Sequence, residues 1–172
     1  ATASLLRGDP GTLDALPIDH SVQPVETTGG HTAAMARLSA FVRSGLDGYA
    51  DDRNHPDTDS SSHLSPWLHF GHLGADEVFQ AVTRRAEWSL DSVSDKADGR
   101  RAGWWGMAPG PEAFVDQLIT WRELGRNLCV HGSDYDQYDS LPDWARTTLE
   151  DHQHDPRPET YTLDQLEGTE NR

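Results

Sequence analysis

The sequence predicts an all-α fold, a helical bundle. Apolar residues recur at steps of three and four in several separate stretches, the period of a helix with one buried face. No stretch alternates apolar and polar residues at the period of two that marks a half-buried strand. Glycine and proline stand at the starts of the periodic stretches, at Gly29-Gly30, Pro66, Gly74 and Pro109-Gly110-Pro111. Helices commonly begin after such punctuation.

Residues 1–28 read as an interdomain connector. Gly8, Pro10, Gly11, Pro17 and Pro24 punctuate them, and Leu13, Leu16 and Ile18 suffice for one short packed turn. Gly29-Gly30 opens a helix to about Ala50, with Ala34, Leu38, Phe41, Val42, Leu46 and Tyr49 on one stripe. Gly45 and Gly48 weaken its last turns by about 1 kcal/mol each relative to alanine. A polar loop, residues 51–59, follows. A helix over about Ala75 to Trp88 buries Val78, Phe79, Val82 and Ala86. Asp76 and Glu77 at its start and Arg84-Arg85 at its end complement its dipole. Residues 89–110 form a long polar loop carrying Trp104-Trp105 between two glycines. Loops of this length are often functional, although paired rings plugging the edge of a core is the more ordinary use. The longest helix runs from Pro109 to about Val130, with Phe114, Leu118, Trp121, Gly125 and Leu128 on its buried side. After a Tyr- and Asp-rich loop, a helix from Leu141 to about His152 uses Trp144, Ala145 and Leu149. Asp155-Pro156-Arg157-Pro158 ends it, and Tyr161–Leu166 adds one or two turns.

The chain is organised around Ser60-Ser61-Ser62-His63-Leu64-Ser65-Pro66-Trp67-Leu68-His69-Phe70-Gly71. Ser65 is a good N-cap and Pro66 fits the first helical position. Unpaired helix N–H groups beside a run of hydroxyls make an anion site suited to phosphate. The same residues also read as a plain cap after a serine-rich loop.

Composition narrows the function classes. The 172 residues hold 29 acidic and 14 basic side chains, a formal net charge of −15. That sign opposes nonspecific binding to nucleic acid. Any such contact must come from a local basic patch or from residues outside this chain. The single cysteine, Cys129, excludes an internal disulfide and fits a reducing cytosol. It lies in an apolar helical stretch with only Arg126 as an electropositive neighbour. No apolar run approaches the roughly 20 residues of a membrane span, and no secretory signal is legible. The expected location is cytoplasmic, nucleoid-associated in a prokaryote.

No self-contained hydrolase is legible. There is no HExxH, no paired cysteine, no G-x-S-x-G elbow, no P-loop and no G-x-G-x-x-G. His69 and His72, three apart, and His152 and His154, two apart, are expected to be structural rather than metal ligands, so no metal is assigned. Arg122 and Arg126, one turn apart, could clamp a carboxylate or phosphate, or pair with Glu123 or a loop aspartate at the surface. Trp121 could stack on a flat ring or fill the core.

Taken together, several motifs resemble one family. Gly29-Gly30, Tyr49, Arg53-Asn54-x-Pro56 and Ser61-Ser62-x-Leu64-Ser65-Pro66-Trp67-Leu68-His69-Phe70-Gly71 are similar to the flavin-binding helical domain of DNA photolyases and cryptochromes. Phe114-Val115-Asp116-Gln117-Leu118-Ile119-Thr120-Trp121-Arg122-Glu123-Leu124-x-x-Asn127-x-Cys129 resembles the class II cyclobutane-dimer photolyases. So do Tyr135-Asp136 and Trp144-Ala145-x-x-Thr148-Leu149-x-x-His152-x-x-Asp155-x-Arg157. The resemblance covers roughly Asp19 to Glu167.

The resemblance implies flavin adenine dinucleotide (FAD), bent into a U within a helical bundle. It implies that Tyr49, Ser61, Ser62, His63, Leu64 and Ser65 contact the phosphates and ribityl chain, which favours phosphate binding over the plain cap. Arg122, Glu123 and Asn127 would line the cofactor side. Arg53 would contact the DNA backbone, and Trp121 would stand at the cavity rim against the damaged bases. Gln117 replaces the glutamate common at the lesion-contacting position and is a weaker substrate-site candidate. The implied reaction is light-driven: a reduced, excited flavin donates an electron to a flipped-out pyrimidine dimer, the ring splits and the electron returns. The implied partner is damaged DNA, bound by a monomer.

Residues 29–172 would then be part of the FAD-binding domain. A second helical segment and an N-terminal antenna-chromophore domain are expected beyond this chain, and tight FAD binding by the chain alone is not expected. A cryptochrome-type photoreceptor and a non-catalytic helical interaction module are the competing expectations.

Overall fold

The computed structural model describes residues 3, 6, 7, 10–12, 14–22, 25–96, 99 and 102–167. Gly8, Leu13 and Pro24, read above as connector residues, lie outside them. Among the described residues the regular structure is all helical, with no strand. No helix among them is long and apolar enough to cross a membrane. The chain divides into two compact units, Ala1–Trp121 and Arg122–Arg172.

The first unit holds the buried core. Helix α1 (His31–Ser44) contributes Ala34, Leu38 and Phe41. It stops earlier than the expected Ala50. The N–H groups of Gly45 and Leu46 both turn back to the Phe41 carbonyl, and Leu46 drops fully into the core. Tyr49 therefore opens a separate short helix, α2 (Tyr49–Asp52). Helix α3 (Ser65–His69) is a single turn that buries Trp67. His72 lies beyond its end and accepts the Gly30 N–H through Nδ1 at 3.2 Å.

Helix α4 (Ala75–Arg85) buries Val78 and Val82 and is shorter than the expected run to Trp88. Gly74 begins it, and the Glu77 carboxylate reaches back to the Gly74 N–H at 2.8 Å, the reciprocal half of a capping box. That bond first, and His31 second, hold the Glu77 carboxyl below its ordinary value.

Helix α5 (Pro109–Val115) closes the core with Phe114 and Val115. It approaches the α1–α2 turn at Gly110, where a Cβ would stand 2.2 Å from the Leu46 carbonyl oxygen. Only glycine permits that approach, and it sets α5 against the turn that carries Tyr49. Glu112 is the one buried charged side chain among the described residues. Its carboxylate accepts three N–H groups from the tryptophan loop: Gly103 at 2.6 Å, Trp105 at 3.2 Å and Met107 at 2.9 Å. So anchored, Trp105 packs on Phe79 and Trp88, with ring centroids 5.9 and 6.0 Å away. Trp104 lies edge-on outside it, 42% exposed. One ring of the pair plugs the core edge and the other remains at the surface.

After α5 the helix is not α-helical as its apolar period suggests. Asp116–Trp121 form a π-helical segment. A π turn spreads over an extra residue, so residues after it lose their phase with Phe114. Leu118 stays buried, but Trp121 is 57% exposed, against its expected place on the buried side.

In the second unit, α6 (Arg122–His131), α7 (Asp143–Asp151) and α8 (Leu163–Glu167) are joined by turns. None of its described residues is buried. Leu128, expected on a buried side, is 62% exposed, and Trp144 is 73% exposed. Cys129 is exposed as well. A unit of about fifty residues buries only a modest fraction of its surface by itself. Arg146 ties the unit locally, bonding Asp143 at 2.5 Å.

Candidate functional site

The serine stretch is an irregular loop that ends in α3. Within it His63 has φ +55, a left-handed conformation rare for a residue with a side chain. That turn sends Leu64 fully into the core. The Leu64 side chain is thus a core group, and only its backbone remains for contact with a ligand. Leu64, not Ser65, occupies the cap position, and Ser65 is the first helical residue. No side chain caps the helix. The Ser65 hydroxyl is therefore not spent on the role its sequence position suggested, because the left-handed residue shifted the helix start by one. A helix of one turn has little dipole, so the site's anion chemistry rests on hydroxyls and first-turn N–H groups.

The loop is tied from behind. Arg37, on α1, donates through Nε to the Ser62 carbonyl at 2.8 Å and through Nη2 to the Ser61 carbonyl at 3.1 Å. The Ser62 hydroxyl lies 3.4 Å from the Leu64 N–H as acceptor, which leaves its own proton free to donate. His63 pairs with Asp59.

The front of this loop bounds a cleft of about 370 Å³ lined by Thr27, Tyr49, Ser61, Ser62, His63, Ser65, Pro66 and Trp67. None of these is an acid, although acids outnumber bases two to one in the chain. Trp67 is fixed by its indole N–H to the Thr28 carbonyl at 3.1 Å. Ligand pockets span about 300–1,000 Å³. This one has room for a diphosphate and its neighbouring groups rather than for a whole dinucleotide.

Tyr49 joins the cleft to a second cluster. Its ring stands edge-on to Phe41 and Phe114, with centroids 5.8 and 5.2 Å away. The Arg53 guanidinium lies over the ring, 5.8 Å from its centre, a cation–π arrangement. The Gln117 amide satisfies its neighbours with its oxygen turned toward Arg53 Nη1 and Trp121 Nε1, 3.3 Å from each. Trp121 Nε1 also donates to Asp116 Oδ2 at 2.8 Å. Arg53, Gln117 and Trp121, separated by up to 68 positions in the chain, thus share one corner.

Curated relatives of this chain share one name. A deoxyribodipyrimidine photo-lyase of Potorous tridactylus is 33% identical over 92% of this chain and 26% of its own length. Photo-lyases of Oryza sativa subsp. japonica and Methanothermobacter thermautotrophicus are each 32% identical, over 79% and 86% of this chain and 24% and 28% of their own lengths. The chain belongs to the photolyase family. It spans about a quarter of the length of these relatives. No family model matches it.

Of the residues that the photolyase resemblance singles out, the structure gathers Tyr49, Ser61, Ser62, His63 and Ser65 at the cleft. It gathers Arg53, Gln117 and Trp121 at the adjoining corner. Arg122, Glu123 and Asn127 lie on α6 in the second unit, where Arg122 Nη2 bonds Glu123 Oε1 at 2.9 Å. Sequence reasoning missed Arg37, Asp116 and Thr27. Arg37 is one polar residue on an amphipathic helix, and nothing in the spacing says that its partners are carbonyls 24 and 25 residues on. Asp116 could be paired with Trp121 only once the π turn is known.

Proposed function

We propose that the protein carrying this chain is a deoxyribodipyrimidine photo-lyase that splits cyclobutane pyrimidine dimers in DNA by light. The chain would supply part of its FAD-binding helical domain. One observation carries the reading. The residues whose sequence resembles the family's phosphate-binding stretch line a single acid-free cleft, with hydroxyls not consumed by helix capping.

In this reading Ser62 and Ser65 donate hydroxyl protons to phosphate oxygens, and Ser61 and His63 flank them. Tyr49 closes the inner wall. Arg37 holds the loop carbonyls back toward α1, so that the cleft presents donors rather than acceptors to an anion. When bound, reduced FAD supplies the photoexcited electron donor. Arg53 meets a DNA phosphate, and Trp121 offers its exposed face to a base turned out of the duplex. A dimer pairs poorly, so turning it out costs less than for an intact step. With a net charge of −15, undamaged duplex is held weakly, and selectivity must come from this corner. Arg122, Glu123 and Asn127 are assigned to the cofactor side on resemblance alone.

The direct test is blue-light repair by the whole protein with FAD. Loss of dimers from irradiated oligonucleotide is expected under illumination and not in the dark. Retained flavin without repair would instead indicate a cryptochrome-type photoreceptor. A further expected result concerns Arg37. Replacing it with alanine in the whole protein weakens flavin retention by about tenfold, the worth of losing a charge-assisted bond that shapes the site. Lysine recovers only part of it, because one ammonium does not reproduce the fork. Unchanged flavin absorbance after gel filtration of the Arg37→Ala protein would remove Arg37 from the site.

A further inference from the structure

A short circuit of hydrogen bonds holds the connector side of the cleft. Trp67 Nε1 donates to the Thr28 carbonyl at 3.1 Å. The backbone N–H of His72 donates to the Trp67 carbonyl at 2.8 Å. The Gly30 N–H donates to His72 Nδ1 at 3.2 Å, which ties the ring back to the connector. Thr27 and Trp67 both line the cleft, so Thr27, one residue before the Thr28 anchor, is held there by this circuit. The chain passes close to the imidazole at Gly29, where a Cβ would stand 3.2 Å from Cε1. Gly30 has φ +90, a conformation that favours glycine.

The backbone and indole groups of the circuit do not titrate, and the imidazole does. A backbone N–H can only donate, so His72 Nδ1 accepts it only while it carries no proton of its own. Imidazoles take up that second proton within about pH 5–8, and the contact then meets donor to donor. We propose that His72 is a positioning residue of the cleft, holding the Thr27–Gly30 wall while Nδ1 is unprotonated and releasing it in acid, so that diphosphate binding weakens as pH falls. This rests on the reading that the cleft takes the diphosphate of FAD. The elements that meet at His72 carry other titratable groups at their near ends: Glu26 in the connector, His31 on α1, His69 on α3, and Asp76 and Glu77 on α4. Protonating His31 strengthens its 2.7 Å bond to Glu77. Protonating His63 adds a cation to the cleft lining. Both act in the opposite direction to His72.

The experiment measures the dissociation constant of FAD for the whole protein in the dark, from pH 8 to pH 5.5. The parent is compared with His72→Gln, whose amide oxygen accepts an N–H at every pH. The other groups titrate alike in both proteins, so the ratio of the two constants isolates His72. Parent binding is expected to fall about tenfold relative to His72→Gln over this range, the cost of one unmatched donor. His72→Ala lacks the acceptor throughout. It is expected to bind FAD about tenfold more weakly than the parent at pH 8, with a constant ratio to His72→Gln across the range. A parent-to-Gln ratio that stays flat overturns the proposal. So does a His72→Ala protein that melts lower than the parent yet binds FAD as tightly at pH 8. In either case the Ser62→Ala, Ser65→Ala double variant shows which statement failed. If it weakens FAD binding, only the role of His72 is lost. If it binds FAD like the parent, the cleft is not the diphosphate site and both fall.

Discussion

A Ser62→Ala, Ser65→Ala double variant of the whole protein is expected to lose at least hundredfold in flavin affinity while melting within about 2 °C of the parent. A hydroxyl bonded to a phosphate oxygen contributes about 1.5–3 kcal/mol, and two of them reach a factor of a hundred or more. The fold gives up little in exchange. Neither hydroxyl caps α3, and the bond that the Ser62 hydroxyl accepts from the Leu64 N–H, at 3.4 Å, is long. Retained flavin absorbance reads the first quantity and thermal denaturation followed by circular dichroism reads the second. The opposite pattern, a lower melting temperature with flavin held, would return the serine loop to being a structural cap.

Glu112→Ala should lower the melting temperature by about 10 °C. Its carboxylate serves three N–H groups of the tryptophan loop from a buried position. Truncation leaves all three without that acceptor, a cost of roughly 3–5 kcal/mol, and a chain of this size shifts by about 2–4 °C per kcal/mol. The loop also loses its hold on Trp105, whose ring packs against both Phe79 and Trp88. Trp105 fluorescence, isolated by difference against Trp105→Phe, should shift to the red at temperatures where the protein is still helical. Glu112→Gln keeps one oxygen but points an amino group at a donor, and is expected to lose about half as much. A Glu112→Ala protein that melts like the parent would mean that the loop is held by its rings alone.

The all-helical architecture was legible because each core helix writes its own period. Ala34, Leu38 and Phe41 on α1 and Val78 and Val82 on α4 repeat at spacings that only a helix places on one face. Leu64, between His63 and Ser65, gave no such signal, and its burial follows from the left-handed turn at His63. Trp121 shows the limit most sharply. Its spacing from Phe114 and Leu118 suits the buried face of an α-helix, and the π turn removes it from that face.

The sequence by itself determined the helices, the family, and the residue types that meet at the cleft, because period and short motif are local properties of a chain. Tertiary structure alone decided which atoms those residues offer. Arg37 turned the serine carbonyls away, a shifted helix start released the Ser65 hydroxyl, and Arg53 with Trp121 oriented the Gln117 amide. Each outcome depends on a partner distant in sequence or on an irregular backbone turn, and neither leaves a periodic trace to read.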